Sequence, residues 1–410
     1  MKRALFISDR FPRSLDTSVS GTYMRMRMIL EALSAETEAL DILFFTSHDI
    51  KTDGLARFQS ELNCKWGLRA NLMLCTKRKV TSTSTHSLAS LIDARNDKKY
   101  ARTSADRCVK AIERCLKNKP DLIFVHRLEA MCPLLSVRRA LPPVIFDLDD
   151  IEHVKKLRGI RHPDIKRENW LYKLLQLPAL IRLEWQAVRL ARRTFVCSER
   201  DRFYLTQLLR LSGVEVVKNA VDIPDMPISA EPRMVMGFLG TFGYQPNVNA
   251  AEELAASVWP IVRARLPQAK LVIAGHLPER IPSFAQLCSS DGGITFAGFI
   301  KNLRQFYNQL QLVCCPIRSG GGTRIKIIEA AAHGLPVVAT GIAAEGLDFA
   351  DGVEIVLTES PGAIAQACIK LLSDPVRCRE IGMAARAKAT AVYQRLDAVA
   401  SIRGHLQALK

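Results

Sequence analysis

The stretch Val313-Cys-Cys-Pro-Ile-Arg-Ser-Gly-Gly-Gly-Thr-Arg-Ile-Lys-Ile-Ile-Glu-Ala-Ala-Ala-His-Gly334 joins an apolar run, a glycine triplet and a helix-forming segment. Leu335-Pro-Val-Val-Ala339 begins a second apolar run, so the order is strand, turn, helix, strand. Three successive glycines let the backbone adopt positive φ and approach a ligand closely. The stretch predicts a βαβ unit of a parallel sheet, in which the turn is either an ordinary crossover or an anion-binding loop.

The start of the predicted helix carries the residues that favour a nucleotide. Thr323 is a good N-cap and Gly334 a good terminator, so the helix is predicted to run between them. The first N–H groups of that helix, its dipole and the cations Arg324 and Lys326 make an anion site. Glu329 falls one turn further on, where a carboxylate can accept hydrogen bonds from a sugar diol. The GxxxxGK[ST] spacing of a P-loop is absent.

Length and composition indicate a folded globular protein of two domains. The chain has 410 residues, 48% hydrophobic and 24% charged. No apolar run reaches the roughly 18 residues of a membrane span, and the apolar run near Met1 is too short for a signal peptide. Eleven cysteines without a CxxC pair favour reduced thiols. We therefore expect a cytoplasmic protein.

The net charge of +17 is concentrated in the first half, because residues 1–230 hold 40 Lys and Arg against 27 Asp and Glu. Residues 155–193 are basic and interleaved with large apolar side chains. They predict an amphipathic helix that lies on an anionic membrane surface, peripheral on the inner face, or else a domain-packing helix whose cations are solvated. No nucleic-acid partner is predicted, since no recognisable binding module accompanies the charge.

Short apolar runs alternate with helical segments twice along the chain, which predicts parallel sheets covered on both faces. One helix is predicted over 99–116, a polar loop over 76–86, and the proline-containing segment 219–232 is predicted to be a linker. The fold class is therefore α/β, with two Rossmann-like doubly wound parallel-sheet domains facing a central cleft. The predicted domains are 1–218 and 233–385, followed by a C-terminal helix over 386–410 that packs back toward the first domain.

Six segments of the second half, in this order, resemble the donor domain of family 4-like (group 1) glycosyltransferases, which have the GT-B fold. The resemblance covers residues 235–347 most clearly and is specific as an ordered set. The segments are Gly237-Phe-Leu-Gly-Thr-Phe-Gly-Tyr-Gln-Pro-Asn-Val-Asn-Ala250, Leu271-Val-Ile-Ala-Gly-His276, Phe296-Ala-Gly-Phe299, Gly320-Gly-Gly-Thr-Arg-Ile-Lys-Ile-Ile-Glu-Ala330, Gly334-Leu-Pro-Val-Val338 and Ala344-Glu-Gly-Leu347. The first half agrees more loosely, through Gly21, Asp147-Leu-Asp-Asp150 and Cys197-Ser-Glu-Arg-Asp201.

The resemblance implies a hexosyltransferase of polysaccharide biosynthesis. It would move a sugar from a nucleoside-diphosphate sugar to a lipid-linked or polysaccharide-precursor hydroxyl, with retention of anomeric configuration. No metal or other cofactor is expected if the helix N–H groups and two cations suffice to neutralise the leaving diphosphate. Glu329 matches the second Glu of the family's E-x7-E motif, which holds the nucleotide ribose. The first Glu of that motif is replaced here by Gly321, so the group that contacts the donor sugar stays open. A Gly-Gly-Gly-Thr-Arg version occurs in one branch of the family.

Other family positions also differ in this chain. The diphosphate-binding Arg and Lys of many members correspond to Thr241 and approximately Asn247 here, which leaves Arg324 and Lys326 as the phosphate cations. The predicted donor-binding residues are Gly240, Thr241, Gly321, Gly322, Thr323, Arg324, Lys326 and Glu329.

In the first half, His126 matches a position where relatives bring a histidine toward the reacting sugar, and it is the predicted catalytic residue. Asp149 and Gly21 are predicted to be acceptor-side or loop residues. The cluster Asp147, Asp149 and Asp150 is compatible with an acceptor-side base, a metal pair or loop capping, and no metal ligand is assigned. Two alternatives to the transferase remain open: a nucleotide-sugar epimerase of the same fold, and a nucleotide-sugar-binding protein that has lost catalysis.

Overall fold

The computed structural model of the chain describes residues 1–12, 15, 21–47, 50, 52–79, 88–160, 167–228, 233–289 and 293–409. It consists of two compact units. The first unit comprises residues 1–218 and 397–410, and the second comprises residues 219–396.

The first unit contains a seven-stranded, all-parallel sheet in the order β3-β2-β1-β4-β5-β6-β7. The strands are β1 (Arg3–Ser8), β2 (Ala39–Thr46), β3 (Asn71–Thr76), β4 (Leu122–His126), β5 (Val144–Asp149), β6 (Arg193–Val196) and β7 (Val214–Val216). Every residue of β4 and β5 is buried, which explains why residues 122–125 and 144–146 read as short apolar runs in the sequence. The chain reverses its direction of winding between β1 and β4.

Eleven α-helices carry residues of the first unit within the described ranges. They are α1 (Gly21–Glu36), α2 (Thr52–Trp66), α3 (Ala89–Ile92), α4 (Lys98–Ala101), α5 (Asp106–Cys115), α6 (Leu128–Leu134), α7 (Glu152–Ile160), α8 (Arg167–Leu175), α9 (Leu177–Leu190), α10 (Glu199–Phe203) and, at the C-terminal end, α18 (Arg395–Gln407). Shorter turns are 3₁₀-helical over Ala94–Asn96 and Leu116–Asn118, and a π-helical turn over Tyr204–Leu208 extends α10.

The second unit contains a six-stranded parallel sheet in the order β10-β9-β8-β11-β12-β13. Its strands are β8 (Val235–Leu239), β9 (Lys270–Ala274), β10 (Ile294–Gly298), β11 (Leu312–Cys315), β12 (Val337–Ala339) and β13 (Val356–Leu357). Its helices are α11 (Gln245–Glu253), α12 (Trp259–Arg265), α13 (Phe284–Ser289), α14 (Leu303–Asn308), α15 (Ile325–Ala332), α16 (Pro361–Ser373) and α17 (Pro375–Val392). A π-helical turn, Leu254–Val258, joins α11 to α12, and Pro278–Arg280 forms a 3₁₀ turn.

Both sheets have the doubly wound arrangement, so the predicted fold class is confirmed. The single helix predicted over 99–116 is wrong. The hydroxyls of Thr103 and Ser104 each donate to the carbonyl of Tyr100, at 3.0 Å, and end α4 before α5 begins.

The prediction of one continuous helix over 155–193 is also wrong for the residues that the structure describes. Gln176 separates α8 from α9, and Pro178 lies at the start of α9. Residues 161–166 lie outside the described residues. So do Asp16 and Ser20, which the sequence predicts to lie in a polar loop after the first strand, residues 80–86 of the predicted polar loop over 76–86, and residues 229–232 of the predicted linker.

The two ends of the second unit are joined, because Val221 pairs with Gln394 in an isolated bridge and Asp222 accepts from Arg395 at 2.6 Å. Residues 386–410 contain the end of α17 and all of α18 instead of one helix. In the described ranges no helix is both long enough and apolar enough to cross a membrane.

Candidate functional site

The topology of the second unit places two loops next to each other. Strands β8 and β11 are neighbours, with Gly237 opposite Val313, and the winding reverses between them. The loops that leave their carboxyl ends are residues 240–244 and 316–324. In doubly wound sheets ligands bind at this reversal, beyond the carboxyl ends of the strands. The glycine-rich turn quoted first therefore lies where a ligand site is expected.

The loop after β8 is held in place by backbone and side-chain contacts. Gly240 N–H donates to the carbonyl of Ala274 at 2.9 Å, beside β9. Asn247, on α11, donates through Nδ2 to the carbonyl of Thr241 at 2.9 Å. A Cβ added at Gly240 would lie 2.9 Å from Cγ of Asn247, closer than real Cβ atoms come. Glycine at this position thus allows Asn247 to fix the loop.

The glycine triplet uses its conformational freedom, because Gly320 has φ 100° and Gly322 has φ 67°. Arg324 is buried beneath this turn. Its Nη2 donates to the carbonyl of Ser319 at 2.9 Å, and its Nη1 donates to the carbonyls of Gly321 and, at 3.2 Å, Gly322. In this conformation the Arg324 guanidinium therefore shapes the turn through its carbonyls.

Helix α15 begins later than the sequence predicts. Ile325 is its first residue and Arg324 occupies the N-cap position, with φ −87° and ψ 94° and without a capping side chain. The prediction that Thr323 caps the helix is wrong, because the Thr323 hydroxyl accepts instead from Nδ2 of Asn219 at 2.8 Å. Lys326 and Glu329 both remain within α15, three residues apart and on one face.

Lys326 connects α15 to α11 and β8, the elements that flank the loop after β8. Its Nζ donates to Oδ1 of Asn247 at 2.8 Å and lies 4.3 Å from the ring centroid of Phe238. The side chain is half-buried, and burial lowers the pKa of Lys326 to about 8. An anion beside Nζ would stabilise the charged form. Lys326 is thus a cation whose charge responds to a bound ligand.

Glu329 lies buried on the next turn of α15. Its Oε2 accepts a hydrogen bond from the hydroxyl of Tyr307 at 3.3 Å, and burial raises the pKa of Glu329 to about 7. His333 packs its ring 4.6 Å from that of Tyr307, and its Nδ1 lies 2.8 Å from the Glu329 carbonyl oxygen. His333 therefore packs at the helix end, while Glu329 combines a buried carboxyl with a hydroxyl donor.

His126 lies at the equivalent reversal of the first unit, where it ends β4 opposite Ser8 of β1. It is fully buried, its Nδ1 shares a hydrogen bond with Oγ of Ser8 at 3.0 Å, and its Nε2 lies 3.8 Å from Oδ2 of Asp147. Burial and the neighbouring Arg127 hold the pKa of His126 well below its usual range. The imidazole is therefore neutral, and its catalytic role stays a prediction.

Each carboxylate of the acidic cluster in the first unit faces a cation. Asp147 accepts two bonds at 2.9 Å from Nε of Arg25, a side chain of the helix that Gly21 begins. Asp149 lies 3.2 Å from Nη1 of Arg127, and Asp150 accepts from Lys155 at 2.9 Å. The described residues include no group of three or more His, Cys, Asp or Glu placed to hold a metal ion.

Arg127 follows β4 and Asp149 ends the neighbouring strand β5. Both have positive φ, at 75° and 60°. For residues other than glycine this conformation is strained and is concentrated at functional sites. Asp is among the residue types that tolerate positive φ, so Asp149 carried a weak signal of this conformation, whereas Arg is not and Arg127 carried none. Tyr307 and Phe238 were missed because buried aromatics within elements read as core.

The first unit also contains a cavity of about 1460 Å³ that the sequence did not reveal. It lies near the carboxyl ends of β1, β2 and β3, where Asp9, Thr46 and Lys77 line it.

Three solved structures share this two-unit fold over nearly the whole chain. Sucrose-phosphate synthase from Thermosynechococcus elongatus superimposes with a TM-score of 0.73 at 15% identity, covering 100% of this chain and 99% of that chain. HepE from Anabaena, in complex with UDP and glucose, gives 0.67 at 16%, covering 99% and 100%. A mutant of S. aureus TarM, in complex with fondaparinux, alpha-GlcNAc-glycerol and UDP, gives 0.69 at 12%, covering 98% and 100%. The chain has the GT-B fold.

Within that class, residues 233–374 match the family model described as Glycosyl transferases group 1. The resemblance read from the sequence motifs is therefore confirmed, and the matched region contains both loops of the candidate site. Among proteins of curated function, none matches the sequence.

Proposed function

We propose that this chain is a glycosyltransferase that moves a hexosyl group from a nucleoside-diphosphate sugar to a hydroxyl of a lipid-linked or polysaccharide precursor. One observation carries the proposal. A cation, Lys326, and a buried carboxyl, Glu329, lie one turn apart at the start of α15, where the winding of the sheet reverses. Because the related HepE and TarM structures contain UDP, uridine nucleotides are the first donors to test.

In the proposed reaction, the bond between the anomeric carbon and the diphosphate oxygen breaks and a bond to the acceptor oxygen forms. The acceptor proton leaves with the diphosphate. Negative charge develops on the leaving group, and the Lys326 ammonium with the first N–H groups of α15 would stabilise it. These groups supply the positive charge that a metal provides in other transferases, so we propose a metal-independent reaction. Retention of configuration is carried over from the family resemblance.

Each predicted site residue has a place in this proposal. The backbone of Gly240, Thr241, Gly321 and Gly322 would contact the diphosphate, while Thr323 and Arg324 hold the turn in shape. Glu329 would accept from the ribose hydroxyls. His126 is retained as the proposed catalytic residue of the first unit, with Gly21 and Asp149 on the acceptor side.

The proposal is tested by following release of nucleoside diphosphate from UDP-, GDP- and ADP-sugars with and without a hydroxyl acceptor. We expect release only with acceptor, unchanged by EDTA. Conversion of the donor sugar without an acceptor would instead favour an epimerase, and nucleotide binding without turnover would favour a binding protein. If UDP, GDP and ADP all fail to raise the melting temperature, the nucleotide site itself is wrong.

The proposed location is cytoplasmic, peripheral on the inner face of the membrane. The supporting observation is α8, on which Trp170, Leu171, Leu174 and Leu175 are exposed beside Lys173. An exposed apolar helix face with adjacent cations fits an anionic lipid surface.

A further inference from the structure

The cavity of the first unit is large enough for a substrate. Its volume of about 1460 Å³ exceeds the roughly 300–1,000 Å³ typical of small-molecule sites. The side chains that line it are both charged and aromatic, and the aromatic ones include Phe11, Phe45 and Phe58. The donor site described above belongs to the second unit, so this cavity has no ligand assigned to it.

The inner charges of the cavity neutralise one another. Asp9 lies 3.2 Å from Nζ of Lys77 and 3.3 Å from Nε of Arg10. Glu129 accepts from Nη2 of Arg10 at 3.1 Å and lies 3.8 Å from Nζ of Lys99. Both carboxylates are buried or nearly so, and each faces at least two cations.

Two cations on α4 and just after it are not neutralised in this way. Lys98 is exposed and has no ion pair within the described part of the chain. Arg102 donates to a neutral partner, Oγ of Ser47, at 3.3 Å, and likewise makes no ion pair there. Lys99 lies between them in sequence and pairs with Glu152 at 2.7 Å. Lys98 and Arg102 therefore offer an anion two positive charges at the cavity wall.

An exposed apolar surface lies next to this wall. We define the apolar patch as Leu88 and Ile92 at α3, 81% and 78% exposed, and Leu171 and Leu175 of α8, both 52% exposed. Surface leucines are normal singly, but a group on adjoining helices indicates contact with an apolar partner.

One buried side chain, Gln176, connects the apolar patch to the cavity. Its Nε2 lies 2.6 Å from Oγ of Ser90 on α3, 2.9 Å from the hydroxyl of Tyr172 on α8 and 3.1 Å from Oδ2 of Asp97. Asp97 lines the cavity and caps α4, which carries Lys98. The apolar patch and the cationic wall are thus parts of one hydrogen-bonded structure.

We propose that the cavity binds the phosphate-bearing head group of an amphiphilic acceptor. Lys98 and Arg102 contact the phosphate, and the apolar patch receives the hydrocarbon chain. The inference rests on the proposed function and deepens it by naming the chemical class of the acceptor. The positive charges of Lys98 and Arg102 are not balanced by carboxylates among the described residues, and an apolar patch adjoins them. A lipid phosphate complements both features, whereas a neutral glycan complements neither.

The test measures binding of farnesyl diphosphate, farnesol and inorganic pyrophosphate to the full chain by calorimetry. We expect farnesyl diphosphate to bind more tightly than either of the others, because only it uses both the cations and the apolar patch. Lys98→Ala/Arg102→Ala should weaken farnesyl diphosphate binding at least tenfold, since each removes a charged hydrogen-bond donor. Leu88→Ser/Ile92→Ser should reduce farnesyl diphosphate binding toward that of pyrophosphate.

The matched control is Lys110→Ala/Arg138→Ala, which removes the same two charges from exposed positions that do not line the cavity. It should bind farnesyl diphosphate like the unaltered chain. Farnesol binding as tightly as farnesyl diphosphate, or an unchanged affinity in Lys98→Ala/Arg102→Ala, overturns the cationic site. If pyrophosphate binds as tightly as farnesyl diphosphate, the apolar patch does not contribute to binding and the ligand is not an amphiphile.

A parallel measurement of UDP binding separates this inference from the proposed function. The Lys98→Ala/Arg102→Ala variant should keep its UDP affinity, which also shows that it is folded. Farnesyl diphosphate binding in a chain that binds no nucleotide would support the cavity and refute the transferase. Nucleotide binding with no discrimination between farnesyl diphosphate and farnesol would refute the cavity and leave the transferase standing.

Discussion

Glu329 combines a buried position with a carboxyl that ionises near neutral pH. Its pKa is raised from 4.5 to about 7 by burial, so the folded chain binds this proton more tightly than the unfolded chain does. The resulting stabilisation is fully present below pH 4.5 and is lost as the pH rises through about 7. At pH 8 the folded state therefore buries a carboxylate, at a cost of at most about 3 kcal/mol.

Glu329→Gln should consequently stabilise the chain at pH 8 and leave its stability unchanged near pH 4.5. The amide keeps the size of the side chain and still accepts from Tyr307. Nucleotide affinity should fall about tenfold, because the ribose hydroxyls lose a charged acceptor. Urea unfolding at the two pH values and calorimetry with UDP check the prediction. An equal stability change at both pH values would contradict the assigned ionisation.

The lowered pKa of Lys326 leads to a prediction of how nucleotide affinity depends on pH. Burial lowers its pKa to about 8 in the free chain, and a bound diphosphate would raise that pKa. Affinity for UDP should therefore be highest below pH 8 and fall as the pH rises through 8. Lys326→Met should weaken binding and flatten this profile between pH 7.5 and 9.5, whereas Lys270→Met, at an exposed position, should keep it. A profile that is the same in both variants would exclude Lys326 as the phosphate cation.

At the scale of residues, the sequence predicted which side chains gather near α15 but not all of their contacts. Lys326 and Glu329 share a helix face because their spacing requires it. The predicted cap at Thr323 was wrong because its hydroxyl contacts Asn219, which is 104 positions away in the sequence. The hydrogen bonds from Arg324 to the turn carbonyls also depend on a backbone path that residue types alone do not define.

At the scale of the element, a side chain added to the glycine-rich turn should disturb the backbone of the whole turn. An added Cβ at Gly320 would lie 2.3 Å from the hydroxyl of Tyr244 and 3.0 Å from Nη2 of Arg324, at φ 100°. Gly320→Ala should destabilise the chain by about 1–3 kcal/mol and weaken UDP binding, because the turn must shift. Gly362→Ala is the matched control in α16, where a Cβ meets no atom within 4 Å. Equal melting temperatures and UDP affinities for the two variants would show that the turn tolerates a side chain.

Elements were predicted best where burial makes the pattern unambiguous. The apolar run at Val313 that opens the glycine-rich stretch is part of a strand, Leu312–Cys315, because all four residues are buried apolar side chains. Strand β3 was missed because its residues are mostly half-buried, so the apolar pattern is mixed. The break between α4 and α5 arises from two side-chain hydroxyls that compete for one carbonyl, a contact that apolar periodicity does not register.

At the scale of the whole molecule, two sheets of the same winding order explain why each unit has a reversal point with candidate residues beside it. Alternation of strands and helices predicted this order, since right-handed crossovers leave few alternatives. The cavity of the first unit could not be predicted in this way. Its wall brings together residues from segments near positions 10, 50, 77, 100 and 129, so it exists only once the unit is folded.

Charge is also a property of the whole chain, and it predicts how membrane binding responds to salt. The net charge is +17, with most of the excess in residues 1–230. Anionic phosphatidylglycerol vesicles should therefore bind the chain more strongly than phosphatidylcholine vesicles do. The difference should shrink between 50 and 200 mM salt, because salt shortens the screening length to roughly 10 Å at 0.1 M.

Apolar contact should add to this attraction at α8. Leu171→Ser/Leu175→Ser removes two side chains that are each 52% exposed, and it should reduce vesicle pelleting at both salt concentrations. Val376→Ser/Leu396→Ser, which removes two comparably exposed apolar side chains from the second unit, should pellet like the unaltered chain. If both variants pellet equally, α8 does not contact lipid. If pelleting is independent of salt, the basic excess of the first half does not act at the membrane.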